Sequence, residues 1–240
     1  MREENMNEPF RPYIICHMVT SLDGKVTGDF LFDPQCADAT DIYYRINRER
    51  KADGFICGRV TMEGSFTNGW YPDLSGYACI LQKTDFVCEG LSGFYAVAFD
   101  THGRLGWRSD KIIDPDGDPG YDGAQVIEVL SEDVDGRYLS YLKELGISYI
   151  FAGEKAIDVE LALKKLKELF KCNTLLLEGG SIINGAFLRA DAVDELSLVT
   201  APVVAGGEGK ALFYDSVFKC FELTKAESEN GNLILNYKRK

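Results

Sequence analysis

Apolar residues along the chain fall into short runs separated by amphipathic stretches, a pattern that alternates strand and helix. Residues 14–19, 55–57, 77–81, 95–99, 126–130, 149–152, 174–178 and 195–204 read as strands, several of them apolar on both faces. Residues 39–51 read as a charged helix with Asp38 as a candidate N-cap, and Asp135 opens another helix that runs to about Leu145. Asp158 opens the clearest helix, in which positions 159, 162, 163, 166, 169 and 170 form one apolar stripe, and residues 181–189 form a further helix. The chain closes with apolar runs at 218–227 and 233–237 around Asn230-Gly231, the pair best suited to a two-residue hairpin turn. Such an order predicts an α/β fold, with a mostly parallel central sheet, helices on both faces and a C-terminal antiparallel hairpin.

A single domain over residues 13–240 is expected, preceded by a flexible tail at 1–12. Residues 101–124 break the pattern: five Gly, five Asp and two Pro with little periodicity predict a long surface loop. A net charge of −12 lacks the basic stripe a nucleic-acid surface needs. No apolar run approaches the roughly 20 residues of a membrane span. The seven cysteines are odd in number and include no C-x-x-C pair, so they read as reduced thiols of a cytoplasmic protein. Any anionic ligand must then be held locally, by a few cations and backbone N–H groups.

Several chemistries are disfavoured. No G-x-G-x-x-G follows a strand, which removes the ordinary dinucleotide fingerprint. Val204-Ala-Gly-Gly-Glu-Gly-Lys-Ala211 approximates a phosphate loop but lacks its first Gly and its closing Ser or Thr. Asp114, Asp116, Asp118 and Asp122 have partial calcium-loop spacing, yet Pro119 and Gln125 occupy the positions of the required Gly and Glu, so no metal site is expected. The two histidines, His17 and His102, have no zinc-deaminase or triad motif around them, and His17 reads as a satisfied core residue.

The segment Leu175-Leu-Leu-Glu-Gly-Gly-Ser-Ile-Ile-Asn-Gly-Ala-Phe-Leu188 is the most informative. A buried strand stops at paired glycines and a helix starts near Ser181, so bare backbone can approach an anion at the positive helix end. Read alone, the pair equally permits a tight strand-to-helix turn. It is accompanied, in order along the chain, by Met18-Val-Thr-Ser-Leu-Asp-Gly-Lys25, Gly58-Arg-Val-Thr-Met-Glu63 and Val193-Asp-Glu-Leu-Ser-Leu-Val-Thr-Ala-Pro-Val203. Together these motifs resemble the reductase domain of the riboflavin-biosynthesis deaminase-reductases, itself similar to dihydrofolate reductase, here standing alone without the deaminase.

That resemblance implies a dihydrofolate-reductase-like fold and an NADPH-dependent reduction of a ribosylaminopyrimidine phosphate to its ribitylamino form. It implies a cofactor site of Gly58, Arg59, Thr61, Gly179, Gly180 and Ser181, with Lys83 near the 2′-phosphate and Gly153 allowing close backbone approach. On the substrate side it points to Ser21 and Lys25 as binding residues and to Glu178, then Asp23, as the group that handles the proton. A homodimer is also implied. The regions Leu31-Phe-Asp-Pro-Gln35 and Gly64-Ser-Phe-Thr-Asn-Gly-Trp70 depart from the family pattern, and no arginine for the substrate phosphate is evident. Two alternatives stay open: a pterin or imine reductase of the dihydrofolate-reductase type, with Asp38 or Asp41 facing the ligand, and a non-catalytic NADPH-binding protein.

Overall fold

A computed structural model describes residues 10–91, 93–207 and 209–240. Nine strands form one sheet in the order β5-β4-β3-β2-β6-β1-β7-β9-β8. The strands are β1 (Tyr13–Thr20), β2 (Gly54–Gly58), β3 (Tyr95–Phe99), β4 (Gln125–Leu130), β5 (Ser148–Phe151), β6 (Thr174–Leu177), β7 (Glu195–Thr200), β8 (Phe221–Glu229) and β9 (Asn232–Arg239). Strands from β5 across to β7 pair in parallel, and β9 and β8 then add in antiparallel fashion. The α/β architecture read from the pattern is therefore present, hairpin included. At its turn Asn230 and Gly231 both adopt positive φ, 49° and 79°, as a type I′ turn requires.

Helices cover both faces because the inner strands are apolar on both. Ile14, Cys16, Ile56, Val97, Ile127 and Val129 point to one side, where α4 (Val159–Phe170) and α5 (Ser181–Arg189) bury their stripes. Ile15, Phe55, Ala96, Val126 and Leu176 point to the other and meet α3 (Gly136–Leu145). On that second side α1 (Ala37–Arg50) packs over Val19, Val199 and Ile234. Asp135 and Asp158 cap α3 and α4 through Arg137 N–H and Leu161 N–H, as expected.

Four expectations need correction. Asp38 is not the N-cap of α1: the helix begins at Ala37, preceded by a short turn over Pro34–Cys36 that Asp33 caps through Gln35 N–H. Residues 77–81 form no strand; Ile80 N–H instead bonds the Gly136 carbonyl and Ser140 Oγ bonds the Ala78 carbonyl, so this apolar run lies along α3 and β3 takes the place beside β2. The strand expected to reach Val204 stops at Thr200, because Pro202 has no N–H to continue the ladder. Residues 101–124 form no helix or strand, as a long loop should, but they do not lie only at the surface. Leu105, Trp107, Ile112, Tyr121 and Ala124 are buried there and close the α3 side of the core. Their apolar positions are scattered among Gly and Asp, so no periodicity betrays them. The aspartates serve the local backbone, Asp114 accepting from the N–H groups of Asp116 and Asp118.

Of the tail expected at 1–12, residues 1–9 lie outside the described residues. Arg11 belongs to the fold, forking onto Asp194 at 2.7 and 2.8 Å.

Candidate active site

The ends of three adjacent parallel strands, β3, β2 and β6, supply the site. Glu178 follows β6 with its N–H still bonded to the Ile56 carbonyl, so its side chain turns into the space beneath α1. Next comes Gly179, joined to Gly180 by a cis peptide, with φ of +99°. Its carbonyl accepts from Gly58 N–H at 2.8 Å, tying the two glycine-containing turns together. Gly58 opens the short helix α2 (Arg59–Met62) and Gly180 opens α5, and no side chain caps either start. First-turn N–H groups have no acceptor within their own helix.

These two starts border a cleft of about 360 Å³ lined by Gly58, Arg59, Thr61, Gly180, Ser181 and Lys210, with Phe99, Ile157 and Ile183 as apolar walls. Uncapped donors, two cations and apolar walls fit a dinucleotide, the diphosphate at the helix start and the flat rings against the side chains. A Cβ added at Gly180 would stand 3.4 Å from Thr61 Oγ1, so the bare glycine keeps this part of the cradle open. The Arg59 guanidinium pairs with Glu63 at 2.6 Å, which holds it along the rim. The Ser181 hydroxyl donates to the Ala211 carbonyl, leaving its N–H as the group free to meet a ligand.

Thr61 is shared with a second pocket of about 250 Å³, lined also by Tyr43, Tyr44, Phe66, Asp114, Tyr121 and Glu178. Here the Glu178 carboxylate accepts from Asn47 Nδ2 at 2.7 Å and from the Tyr121 hydroxyl at 3.0 Å. Burial pushes this carboxyl up to about 7, against the opposing pull of the Asn47 and Tyr121 hydrogen bonds. A carboxyl poised there exchanges a proton near neutral pH. Asn47, Tyr43 and Tyr121 escaped the sequence reading: the first two sit in a helix whose charged face dominates its composition, and the third lies in the aperiodic segment.

Not every expected residue converges on these pockets. Ser21 Oγ donates to Asp23 at 2.6 Å and accepts from Lys25 N–H, while Asp23 also accepts from Ala205 and Gly206 N–H. Those bonds hold Asp23 below the usual carboxylate range, the Ser21 hydroxyl most of all. Ser21, Asp23 and Lys25 thus build a turn that anchors the loop after β7, and none of them lines either pocket. Lys83 lies outside the cleft lining and donates to the Val134 carbonyl. Gly153 lies two residues beyond β5 with φ of +110°, and a Cβ there would meet the Ala156 carbonyl at 2.2 Å, so a tight local turn explains this glycine. The rejected phosphate-loop approximation does border the cleft, through Lys210, and its Ala211 carbonyl accepts from Ser181. Asp38 and Asp41 are exposed on α1 and line neither pocket. His17 is a core residue as expected: it stacks on Tyr43 at 4.3 Å, bonds Ser197 and the Tyr43 carbonyl, and burial pushes it down to about 4.

A mostly parallel α/β sheet thus carries a glycine-lined cleft beside a buried carboxyl. Residues 121–233 match the RibD C-terminal domain. Among curated proteins, a 2,5-diamino-6-ribosylamino-4(3H)-pyrimidinone 5′-phosphate reductase of Aquifex aeolicus is 37% identical over 87 residues, 35% of this chain and 38% of the relative. The protein of the same name from Methanothermobacter thermautotrophicus is 29% identical over 94 residues, 39% of this chain and 43% of the relative. The chain thus spans about two fifths of the length of the curated relatives it matches. In structure, Acinetobacter baumannii RibD superposes with a TM-score of 0.66 at 17% identity, covering 96% of this chain and 58% of that one. Riboflavin biosynthesis reductase Rib7 of Saccharomyces cerevisiae gives 0.64 at 17% identity over 98% and 93% of the two chains. The fold is the one these reductases share.

Proposed function

We propose that this chain is an NADPH-dependent reductase that converts the ribosylamino group of a 5-amino-6-ribosylaminopyrimidine 5′-phosphate, or its 2,5-diamino counterpart, into a ribitylamino group. One observation carries the reading: the buried Glu178 carboxyl faces a pocket that meets the glycine-lined cleft at Thr61. The names of the curated relatives supply the substrate class.

NADPH, when bound, supplies the hydride. The uncapped starts of α2 and α5 hold the diphosphate, and Arg59 and Lys210 are the cations available to its phosphates. Opening the ribosylamine ring leaves an imine whose carbon accepts hydride and whose nitrogen needs a proton. Glu178, with its carboxyl near neutrality, gives that proton, while Asn47 and Tyr121 fix its direction. Tyr43, Tyr44 and Phe66 wall the pocket and offer flat faces to a pyrimidine. A cytoplasmic location and a homodimer belong to the same reading; the edge strand β8, exposed after Phe221, offers a pairing surface.

The test is titration with NADPH and with NADH followed by nicotinamide fluorescence, then addition of the ribosylaminopyrimidine phosphate while the reduced cofactor's absorbance is followed. Tighter binding of NADPH and oxidation on adding substrate are expected. Binding without oxidation would turn the reading to a non-catalytic nucleotide-binding protein, and no binding of either nucleotide would end it.

A further inference from the structure

A third cavity, of about 310 Å³, lies between residues 66–70 and 106–113 and plays no part in the site described above. Its polar lining is Thr67, Asn68, Arg108, Ser109 and Lys111, with no carboxylate among the lining residues. The chain as a whole carries a net charge of −12, so the two cations here meet their acids, if any, outside this lining. Most arginines here are neutralised, as Arg48 is by Asp118 and Arg50 by Glu195. Among the described residues neither Arg108 nor Lys111 has an acidic partner; the Arg108 guanidinium lies instead over the Trp70 ring, 4.5 Å from its centroid. An indole face holds a guanidinium flat and leaves its N–H edge available for a forked contact with an oxyanion.

A second, independent observation comes from Thr67. It lines this cavity with only 7% of its surface exposed, and its hydroxyl has no hydrogen-bond partner. A buried hydroxyl left unbonded is destabilising, and an oxygen arriving with a ligand removes that cost. Position supplies the rest. Phe66 lines both this cavity and the Glu178 pocket, so the two are neighbours across one side chain.

We propose that this cavity binds the phosphate group of the substrate, with Arg108 as its principal cation and Lys111, Asn68 and the Thr67 hydroxyl completing the contact. The proposal rests on the reductase reading above and extends it: the segment 101–124 supplies the phosphate contact for which the family-type motifs show no arginine. A phosphate monoester is doubly charged near neutral pH and presents three acceptor oxygens, matching a lining made of donors.

Both tryptophans of the chain, Trp70 and Trp107, line the cavity, so intrinsic fluorescence reports its occupancy. Wild-type protein is titrated with ribose 5-phosphate, with inorganic phosphate and with ribose, and the same titrations are repeated on Arg108→Met and Thr67→Val. Saturable changes with the two phosphates and none with ribose are expected, weakened at least tenfold in Arg108→Met. Ribose 5-phosphate binding no better than ribose, or unaffected by Arg108→Met, overturns the proposal. The two sources of phosphate separate in steady-state kinetics. Arg108→Met should raise KM for the phosphorylated substrate at least tenfold with little change in kcat, and leave the dephosphorylated substrate's KM unchanged. If the variant loses binding of inorganic phosphate but keeps the wild-type KM, the pocket serves a separate phosphate and the proposal falls. If phosphate binds at Arg108 but no ribosylaminopyrimidine is turned over, the reductase reading fails while the anion pocket stands.

Discussion

Glu178→Gln is expected to stabilise the protein at alkaline pH relative to the wild type while lowering its turnover. Burial lifts the Glu178 carboxyl from an ordinary 4.5 to about 7. Between those values the folded chain holds a proton that the unfolded chain has released, so stability falls as pH rises across the window. What this group contributes is fully present below the unfolded value and lost once pH passes the folded value. At about 1.4 kcal/mol per pH unit, the rise corresponds to roughly 3.5 kcal/mol at most. Glutamine is neutral throughout and keeps an oxygen to accept from Asn47, so the variant escapes the loss. Urea unfolding of both proteins at about pH 5 and about pH 8 measures it, other titrating groups cancelling in the comparison. The variant's stability relative to wild type should gain roughly 2–3 kcal/mol between the two conditions. A difference that is independent of pH, or that moves in favour of the wild type, would refute the argument that Glu178 is held against its own ionisation.

Tyr121→Phe removes a donor to the Glu178 carboxylate, so the carboxyl should titrate still higher, seen as an upward shift of its carbon resonance midpoint and of the matching limb of the pH–rate profile. Gly180→Asp puts a negative charge beside Thr61 in the cleft and should abolish NADPH binding in fluorescence titration while leaving the far-ultraviolet circular dichroism unchanged. Gly153→Ala forces a Cβ to within 2.2 Å of the Ala156 carbonyl at a φ of +110°, and should cost about 2 kcal/mol or more in denaturant unfolding. Asp23→Ala should speed amide exchange at Ala205 and Gly206, which bond its carboxylate, with a much smaller effect on turnover than Glu178→Gln.

What the sequence determined by itself is local and periodic. Apolar runs at 14–19, 95–99 and 126–130, the caps at Asp135 and Asp158, the stripe of α4 and the Asn230-Gly231 turn each follow from rules acting over a few residues, and each is present. The glycine turn after β6 was legible for the same reason, since bare backbone followed by a helix start is written in consecutive residues. Tertiary structure decided which distant groups meet. Asn47 and Tyr121 reach Glu178 across separations of 131 and 57 residues, and no local pattern encodes such encounters. The run at 77–81 has strand-like composition, yet β3 already pairs with β2, and here only Tyr77 and Ile80 turn toward α3 while Leu81 stays exposed. Asp23, read from the sequence as a second proton-handling group, sits in a turn after β1 where the Ser21 hydroxyl and the amides of Ala205 and Gly206 bond its carboxylate. The segment 101–124 shows the limit most clearly: its scattered apolar residues have no period to detect, and only packing against the sheet and α3 turns them into core and pocket wall.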